Sequence, residues 1–265
     1  MIRVGTAGWT LPRAEQEHFP ATGTHLQRYA ARFAAAEINS SFYRPHRPST
    51  YARWAESVPP GFLFSIKLPK TITHGQRLRD ADEMLDGFLA EAGGLGDRLG
   101  CLLVQLPPSL EFDAAVAEPF FRALRARSSL AAACEPRHPT WFGDGAAELL
   151  ARFQVARVAA DPARVPAAAE PGGWPDLVYY RLHGSPRIYY SAYESDYLDT
   201  LAAWLRVEAA AGRQVWCIFD NTASGAAAAD ALGLAARLQP LQQQVSHGGH
   251  GEHGGTAEGV SIPPP

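Results

Sequence analysis

The feature that most constrains the fold of this chain is a repeated alternation of short apolar runs with longer amphipathic segments. About eight times, a run of four to six mostly apolar residues is followed by a segment with helical spacing of its apolar residues. Runs that are apolar throughout are typical of parallel strands covered by helices on their outer face. The predicted strands are residues 2–6, 36–39, 62–67, 101–106, 130–134, 155–160, 177–182 and 215–219.

This alternation predicts a single α/β domain over residues 1–240, folded as a (β/α)8 TIM barrel. The 265 residues of the chain suit a fold that typically needs about 250. An open, doubly wound sheet is the alternative. Such sheets more often carry a glycine-rich fingerprint after the first strand, and Gly5-Thr6-Ala7-Gly8 does not match its spacing. The segment from Ala163 to Asp176, rich in Ala, Pro and Gly, gives the weakest prediction of any element.

Residues 241–265 differ in composition from everything before them. They are rich in Gly, His and Pro and contain few apolar residues, so they cannot bury a core. We predict a disordered tail. A metal-binding tract formed by His247, His250 and His253 is the less favoured interpretation.

Composition also limits the partners and the compartment. A net charge of −3 gives no overall attraction to nucleic acid. Nucleic acid is therefore not a favoured partner, although a local basic cleft would still permit contact. No apolar run approaches the roughly 18 residues that cross a membrane, and the N-terminus shows no signal peptide. Cys101, Cys134 and Cys217 are scattered within apolar runs, as is typical of free thiols in a reducing compartment. We expect a cytoplasmic protein without a membrane partner.

Polar and aromatic side chains collect where the predicted strands end. The clearest case is the fifth strand, in which residues 130–134 run directly into Glu135, Arg137 and His138. In a TIM barrel all carboxyl ends of the strands open onto one face, and the active sites of the characterised enzymes lie there. The residues predicted to gather on this face are Trp9, Glu37, Asn39, Tyr43, Lys67, His74, Gln105, Glu135, Arg137, His138, Asp161, Arg181, His183, Asp220 and Asn221.

The spacing of these residues indicates which of them share a side of a strand, because side chains two positions apart point the same way. The pairs with this spacing are Glu37 with Asn39, Glu135 with Arg137, and Arg181 with His183. One interpretation is a buried ion-pair network, with Glu37 bound to Lys67 and Glu135 to Arg181. For the set as a whole we favour a ligand site.

Seven segments in register resemble a known family. They are GTAGW (5–9), EINSSFY (37–43), Lys67 with ITH (72–74), QLPP (105–108), EPRHPTW (135–141), RLHG (181–184) and FDN (219–221). Over about residues 2 to 238 the chain resembles the YecE-like proteins, family seventy-two among the domains of unknown function. The resemblance implies a bacterial TIM-barrel protein and supplies no established reaction.

The chain departs from the pattern of that family at three places. Ala7 and Asp220 stand where the family usually carries serine and asparagine, and the tyrosine that often follows Trp9 is absent. The change at Asp220 adds a negative charge at the mouth of the predicted barrel, so ligand contacts of the family do not transfer directly to that position.

Four residues are predicted to be catalytic, namely His183, Glu135, Lys67 and Glu37. His183 is the leading general acid or base because imidazole titrates near neutral pH, and Glu135 is its partner or orienting group. Lys67 and Lys70 are the only lysines, with arginine at every other basic position. Lysine, unlike arginine, can form an imine with a carbonyl compound, but an ion pair of Lys67 with Glu37 is the favoured interpretation.

The remaining residues of the predicted face are assigned to ligand binding. They are Trp9, Asn39, Tyr43, His74, Gln105, Arg137, His138, Asp161, Arg181, Asp220 and Asn221. The aromatic members offer flat surfaces for a sugar or a base. Arg181, Arg137 and the backbone amides after Asn221 predict an anion site, with Arg181 as the clamp. The alternative for the segment after Asn221 is that Ser224 merely caps the last helix.

Three functions remain open from the sequence. The first is an enzyme that acts on a small anionic or sugar-like metabolite by acid–base chemistry without a metal or other cofactor. The second is a metal-assisted phosphodiesterase or nucleic-acid-processing barrel, which lacks the close ligand spacings of a strong metal motif. The third is a non-catalytic protein that binds a small molecule with the same residues. The sequence gives no indication of the oligomeric state.

Overall fold

The computed structural model describes residues 1–239, so the predicted tail with its three histidines lies outside the described residues. The strands are β1 (Ile2–Thr6), β2 (Ala35–Ile38), β3 (Leu63–Lys67), β4 (Leu99–Gln105), β5 (Ala131–Glu135), β6 (Val155–Arg157), β7 (Ala159–Asp161), β8 (Gly172–Gly173), β9 (Leu177–Leu182) and β10 (Gln214–Phe219). The α-helices are α1 (His25–Ala30), α2 (Pro48–Glu56), α3 (Asp82–Ala92), α4 (Ala114–Arg127), α5 (Asp144–Arg152), α6 (Ser195–Ala210) and α7 (Ala226–Leu238).

The strands form two sheets with the orders β1–β10–β9–β7 and β2–β3–β4–β5–β6–β8. Neighbouring strands are parallel in both sheets except for the short β8, which pairs antiparallel with β6. The predicted α/β character and the parallel strands are therefore confirmed. The carboxyl ends of the parallel strands in each sheet lie along one edge, which is where the polar residues follow.

The sixth predicted strand, residues 155–160, is divided in the structure. β6 pairs with β5 and β7 pairs with β9, so the two halves on either side of Val158 belong to different sheets. Between β7 and β9, all within the described residues, the chain forms a 3-10 turn at Pro166–Ala168 and the short β8, with no α-helix. Proline supplies no backbone donor, which explains why a segment so rich in it forms no helix there.

A glycine allows β1 and β2, which belong to different sheets, to approach each other. A Cβ atom on Gly5 would lie only 2.1 Å from the carbonyl oxygen of Ala35, so no larger residue fits at this position. One residue pair, Ala7 with Glu37, is bridged as in a parallel sheet. The Tyr29 hydroxyl accepts from the backbone N–H of Thr6 at 2.7 Å and donates to the Ala35 carbonyl at 3.0 Å. These contacts hold β1 beside β2.

The smaller of two hydrophobic clusters is formed by residues in or next to the strands and contains no helix residue. It includes the stacked rings of Tyr179 and Trp216, whose centroids are 6.0 Å apart. On five strands the apolar residue of this cluster is followed, two positions later and on the same side, by a polar one. These successions are Ala35 to Glu37, Leu103 to Gln105, Ala133 to Glu135, Tyr179 to Arg181, and Ile218 to Asp220. The strands therefore carry their buried polar groups to one place.

The first helix ends before the helical spacing of its sequence does. α1 begins after a capping box formed by Thr24 and Gln27 and ends at Ala30, although helical spacing continues to residue 35. The residues that follow are needed for pairing, because the Ala34 carbonyl accepts from the Leu63 N–H at 3.1 Å. No helix among residues 1–239 is long and apolar enough to span a bilayer.

Candidate functional site

The guanidinium of Arg181 is the centre of a group of buried polar side chains at the strand ends. Arg181 is 0% exposed and donates to both oxygens of Glu37, from Nε at 3.0 Å and from Nη2 at 2.7 Å. Nη1 donates to Glu135, and Nη2 also donates to Asp220 at 3.0 Å. We call this group, with Lys67, Gln105 and His183, the strand-end cluster. The guanidinium donates hydrogen bonds to three carboxylates and is fully buried, so it is not accessible to a ligand.

His183 lies between two of these carboxylates. Its Nδ1 is 3.0 Å from Asp220 Oδ2 and its Nε2 is 3.0 Å from Glu135 Oε1. Burial alone would lower the pKa of His183, but Glu135 and Asp220 outweigh it and raise that pKa above its ordinary value. Both ring nitrogens then carry protons and both donate within the cluster. In this geometry His183 has no free lone pair for a ligand.

The carboxylates keep their charge for the same reason. Burial would raise the pKa of Glu135, yet Arg181, His183 and Arg137 together bring it well below its usual range. Burial also opposes ionisation of Asp220, and Arg181 and His183 lower its pKa. Gln105 completes the shell by donating to Glu135 Oε2 at 3.2 Å. Glu135 therefore accepts from neighbours on both of its oxygens.

Lys67 is the exception to this pairing. Its side chain is 5% exposed, and no carboxylate oxygen in residues 1–239 lies within 4.0 Å of its Nζ. The expected ion pair with Glu37 is wrong, because Arg181 and Tyr179 occupy the oxygens of Glu37, whereas the expected pair of Glu135 with Arg181 is confirmed. The Lys67 ammonium instead lies 4.0 Å from the centre of the Phe42 ring.

The surroundings of Lys67 make its protonated form less stable than that of an exposed lysine. Burial is the largest influence, followed by repulsion from Arg181, and together they lower the pKa of Lys67 to about 8 against the attraction of the three carboxylates. An amine of this kind holds a proton only loosely near neutral pH. Lys67 is therefore the buried group of the cluster that is free to exchange a proton with a ligand.

His74 adds a second such group. Burial first, then Lys67 and Arg137, lower its pKa, so these three side chains influence one another in the same part of the site. Its Nδ1 is 2.9 Å from the Thr73 hydroxyl, and its ring lies edge-on to Phe42 with centroids 5.0 Å apart. Nε2 makes no hydrogen bond with residues 1–239. His74 is thus a neutral, half-buried imidazole beside an unpaired amine.

A cavity of about 410 Å³ opens beside the strand-end cluster. Glu135 and His183 form part of its wall, with Arg137, Arg164 and Tyr189 around them. Arg137 is half-buried and donates to Glu135 Oε1 from Nε and Nη2, each at 3.1 Å. A ligand in the cavity can contact Arg137 and Arg164, but not the enclosed Arg181.

The enclosed residues correct one expectation about this face. Glu37 and Arg181 are both 0% exposed, so they lie beneath the cavity and do not line it. Lys67 does not line this cavity either. The predicted ligand contacts of Glu37 and Arg181 at this face are wrong. Their burial follows from the close pairing described above, which leaves no room for a ligand between them.

Other predicted site residues hold the surrounding loops. Asp161 accepts from the Tyr193 hydroxyl at 2.8 Å, and burial raises the pKa of Asp161. Asn221 is fully buried and donates to the Ser191 carbonyl at 2.8 Å and to Asp230 at 2.6 Å, so its amide ties the loop after β9 to α7. These two residues position loops of the site.

The remaining four predicted ligand-binding residues lie in different surroundings. His138 accepts from the Thr140 N–H and begins the short helical turn 139–142. Trp9 packs edge-on against Trp54, with centroids 5.0 Å apart. Tyr43 is 69% exposed, and the enclosed Oδ1 of Asn39 has no hydrogen-bond partner in residues 1–239. His138 therefore caps a helical turn and Trp9 packs against another ring. The exposed ring of Tyr43 is the part of this group that a ligand could still contact.

The anion site predicted at Arg181 and the backbone amides after Asn221 is not formed as expected. Ser224 donates from its hydroxyl to the Tyr190 carbonyl at 2.5 Å, and α7 begins after Gly225 in a left-handed conformation without a side-chain cap. The segment after Asn221 is thus bound to the loop that follows β9. Neither Arg181 nor Asn221 faces an open anion site there.

Sequence reasoning missed three residues that shape the site. Tyr179 donates to Glu37 Oε2 at 2.9 Å, Phe42 lies under the Lys67 ammonium, and Tyr189 stands edge-on to His183 with centroids 5.7 Å apart. The two-residue spacing of Tyr179 and Arg181 was the available signal for the first. Within residues 1–239, no group of three or more His, Cys, Asp or Glu side chains has the arrangement of a metal site.

The family whose sequence model matches residues 3–253 is described as "Protein of unknown function DUF72". The UPF0759 protein YecE of Escherichia coli K12 is 33% identical over 107 residues, which are 40% of this chain and 38% of that protein. The UPF0759 protein YunF of Bacillus subtilis 168 is 27% identical over 114 residues, 41% of this chain and 40% of that protein. The matched part thus spans about two fifths of the length of these relatives.

Two solved structures share the fold. A DUF72 family protein from Enterococcus faecalis V583 superimposes with a TM-score of 0.75 at 21% identity, over 90% of this chain and 95% of that chain. A DUF72 family protein from Thermotoga maritima MSB8 gives a TM-score of 0.73 at 25% identity, over 90% of this chain and 99% of that chain. The arrangement of parallel strands and helices described above is therefore similar to that of these solved structures.

Proposed function

The chain belongs to the DUF72 family, and we propose that its strand-end cluster binds and transforms a small anionic metabolite, including one with a sugar-like skeleton, by acid–base chemistry. The proposal makes the protein an enzyme of the cytoplasm. Three free, buried cysteines, Cys101, Cys134 and Cys217, support a reducing compartment.

The proposal includes a closed (β/α)8 barrel formed by the two sheets. Its support comes from the two places where the sheets meet. At one, the Ala7–Glu37 bridge and the hydrogen bond from the Gly8 N–H to the Glu37 carbonyl, at 2.8 Å, join β1 to β2. At the other, a single run of chain supplies β6 to one sheet and β7 to the other. A closed ring would place all the parallel strand ends around one mouth.

The observation that carries the proposed function is the unpaired ammonium of Lys67 at the strand ends. The three carboxylates of the cluster are opposed by Arg181 and a protonated His183, which leaves one negative charge in the enclosed part. Lys67 and Arg137, both beside that part, add two positive charges, and the sum is one positive charge. An anionic ligand would neutralise this charge.

Proton transfer in this site falls to Lys67 and His74. Both have lowered pKa values, the first to about 8, so both release a proton more readily than usual. His183, favoured as the acid or base from the sequence, is held by two carboxylates and serves better as a positioning residue for Glu135. Arg137 is placed to hold the charged end of the ligand from the cavity side.

The two alternative functions are less well supported by the contacts. In a metal-assisted phosphodiesterase the carboxylates would converge on an ion at about 2.0 to 2.3 Å, whereas here they converge on the guanidinium of Arg181 and the ring of His183. A non-catalytic binding protein would use the same residues without proton transfer. The lowered pKa of an otherwise unpaired lysine favours catalysis over binding alone.

Retention of metabolites by the purified protein tests the proposal. The wild type, Lys67→Met and the matched control Lys70→Met are incubated with a cell extract, washed, and their bound compounds are released and identified by mass spectrometry. We expect the wild type and Lys70→Met to retain an anionic compound that Lys67→Met loses. Retention of only neutral compounds, or of no compound, would overturn the proposal.

A second measurement separates an enzyme from a binding protein. The retained compound is incubated with the wild type between about pH 6 and pH 9, and its conversion is followed by mass spectrometry. Conversion that depends on Lys67 supports the enzyme. A compound that is bound tightly and recovered unchanged at every pH supports the non-catalytic alternative and contradicts the proposed chemistry.

A further inference from the structure

We propose that Lys67 is a nucleophile that forms an imine with its substrate, and that the substrate class is a small oxo acid. This inference rests on the proposed function, because it takes the anionic ligand of that site and adds a carbonyl group beside its charge. It assigns Lys67 a covalent role in addition to proton transfer.

The position of Lys67 suits this chemistry. The residue is at the carboxyl end of β3, and its stem is buried so that the side chain is only 5% exposed. Within residues 1–239 its Nζ makes neither a hydrogen bond nor an ion pair, and it is not among the fully enclosed polar atoms that lack a partner. The side chain is therefore held by packing, and its nitrogen is not fully enclosed by protein atoms.

The charges around Lys67 supply the free amine that attack requires. Burial and the nearby Arg181 lower the pKa of Lys67 to about 8, so Lys67 is unprotonated in roughly a tenth of the molecules at pH 7. Lys70, the other lysine of the chain, is exposed three residues further along the chain. The difference between the two lysines lies in burial and in the neighbouring guanidinium.

The covalent step balances without an oxidant or a metal. The Nζ lone pair attacks the carbonyl carbon of the oxo acid, the nitrogen releases one of its protons, and the carbonyl oxygen takes up a proton to give a neutral carbinolamine. The carbinolamine hydroxyl then accepts a further proton and leaves as water, while the nitrogen lone pair forms the C=N bond and the nitrogen takes on the positive charge of an iminium. Hydrolysis reverses these steps and restores the lysine.

His74 and the carboxylates suit the needs of this sequence. His74 is a half-buried imidazole whose charge state is influenced by Lys67 and Arg137, so it is placed to carry the protons of carbinolamine formation and loss. The iminium is a fixed cation, and the three carboxylates whose attraction acts on the Lys67 ammonium act on the iminium in the same way. Arg137 is the available partner for the carboxylate of the oxo acid.

Trapping with borohydride tests the inference on the intact protein. The wild type is incubated with pyruvate or glyoxylate, sodium borohydride is added, and the protein is analysed by mass spectrometry before and after digestion. Hydride adds to the C=N bond and leaves a secondary amine, so the protein gains the mass of the probe less one oxygen atom. We expect this gain on the peptide that contains Lys67, and a yield that rises as the pH approaches about 8.

The small number of lysines makes the assignment unambiguous. Besides the N-terminal amine, Lys67 and Lys70 are the only primary amines of the chain. Lys67→Arg keeps the positive charge and cannot form the imine, whereas Lys70→Arg is the matched control. We expect no site-specific adduct in the first and an undiminished adduct in the second. Modification of wild-type Lys70 or the N-terminus alone would overturn the inference even if Lys67→Arg does not fold.

The outcomes also separate this inference from the proposed function. If the wild type retains an anionic metabolite without trapping either probe on Lys67, imine formation is wrong and the proposed acid–base function stands. If no anionic metabolite is retained although Lys67 is trapped by pyruvate, the amine is reactive and the proposed ligand is wrong. Trapping on Lys67 together with retention of an oxo acid supports both.

Discussion

Arg181 on β9 and Glu37 on β2 form a two-point ion pair across the site, with Nε–Oε2 and Nη2–Oε1 distances of 3.0 and 2.7 Å. Both side chains are 0% exposed, and 144 residues separate them in the chain. Tyr179 and Asp220 occupy further hydrogen-bonding positions of the pair. Because the pair is closed to solvent, its contribution is to the stability and the order of the site, rather than to ligand contact.

Arg181→Met should destabilise the protein strongly. The change removes the positive group and leaves three carboxylates close together in a buried region, and loss of one member of a buried pair typically costs about 3–5 kcal/mol. Urea unfolding at pH 7 measures the change in the free energy of unfolding. Arg47→Met is the control, because Arg47 is exposed and its side chain caps no helix; we expect a change within about 0.5 kcal/mol. A loss below about 1 kcal/mol for Arg181→Met would contradict the central role of the guanidinium.

His183 should make the stability fall as the solution becomes alkaline. Its pKa is raised in the folded state, so the folded protein binds more protons than the unfolded chain between the ordinary value of 6.5 and the raised one. The stabilisation is complete below about pH 6.5 and is lost as the pH rises through the folded-state pKa. Urea unfolding of the wild type and of His183→Gln, from about pH 6 to about pH 9, measures it. The difference between the two should shrink towards alkaline pH; a constant difference would mean that His183 is neutral in the folded protein.

The spacing of apolar and polar residues was sufficient to predict the bounds of two strands and the side on which neighbouring residues lie. The bounds predicted for β1 and β9 agree with the structure to the residue. Two-residue spacing also placed Glu135 and Arg137 on one side of the chain, and they are in contact. Such predictions succeed because the period of a strand or helix is fixed by backbone geometry within a few residues.

Partner choice within the site depended on information that spacing does not contain. The sequence predicted Lys67 as the partner of Glu37, and only the arrangement of the strands shows that Arg181 reaches Glu37 and Lys67 does not. The direction of loop residues was equally hidden, because a cap such as His138 or an anchor such as Asn221 depends on contacts with distant segments. The break of the sixth strand at Val158 likewise requires knowledge of both neighbouring strands.

Lys67→Met should stabilise the protein at neutral pH. The folded state lowers the pKa of Lys67 from 10.5 to about 8, so below pH 8 the folded protein carries an ammonium that its surroundings disfavour. Replacing it removes that cost, which we estimate at about 1–3 kcal/mol. The gain should be complete below about pH 8 and vanish as the pH rises towards 10.5. Urea unfolding at several pH values measures it, with Lys70→Met as the control that should change little. Destabilisation at pH 7 would show that Lys67 has a stabilising partner.

Arg137→Gln should weaken binding of the retained anionic compound while leaving the fold intact. Arg137 lines the cavity and is only half-buried, so it has a face available to a ligand that Arg181 lacks. A charged hydrogen bond contributes about 1.5–3 kcal/mol, which corresponds to a loss of roughly tenfold to a hundredfold in affinity. Isothermal titration with the identified compound measures the change. Arg164→Gln removes a charge from the same cavity without the contact to Glu135, and we expect a smaller loss. Equal losses would mean that only the overall charge matters.

Asp220→Asn should strengthen binding of an anionic ligand at acidic pH and have little effect at alkaline pH. Asp220 is paired with Arg181 and His183, so its charge is part of the balance that leaves the site with one positive charge. Removing a carboxylate adds a positive charge as long as His183 remains protonated. Without Asp220, however, the pKa of His183 moves back towards its ordinary value, since one of its two stabilising carboxylates is gone. Wherever His183 is protonated in the wild type and neutral in the variant, the two changes cancel. A single added charge a few ångströms away at an effective dielectric between protein and water gives roughly a threefold to tenfold gain in affinity, which we expect near pH 6 and expect to shrink as the pH rises.

Isothermal titration at several pH values measures this dependence. A gain of the same size at every pH would show that His183 does not respond to Asp220, and a loss of binding at every pH would show that Asp220 contacts a cationic group of the ligand.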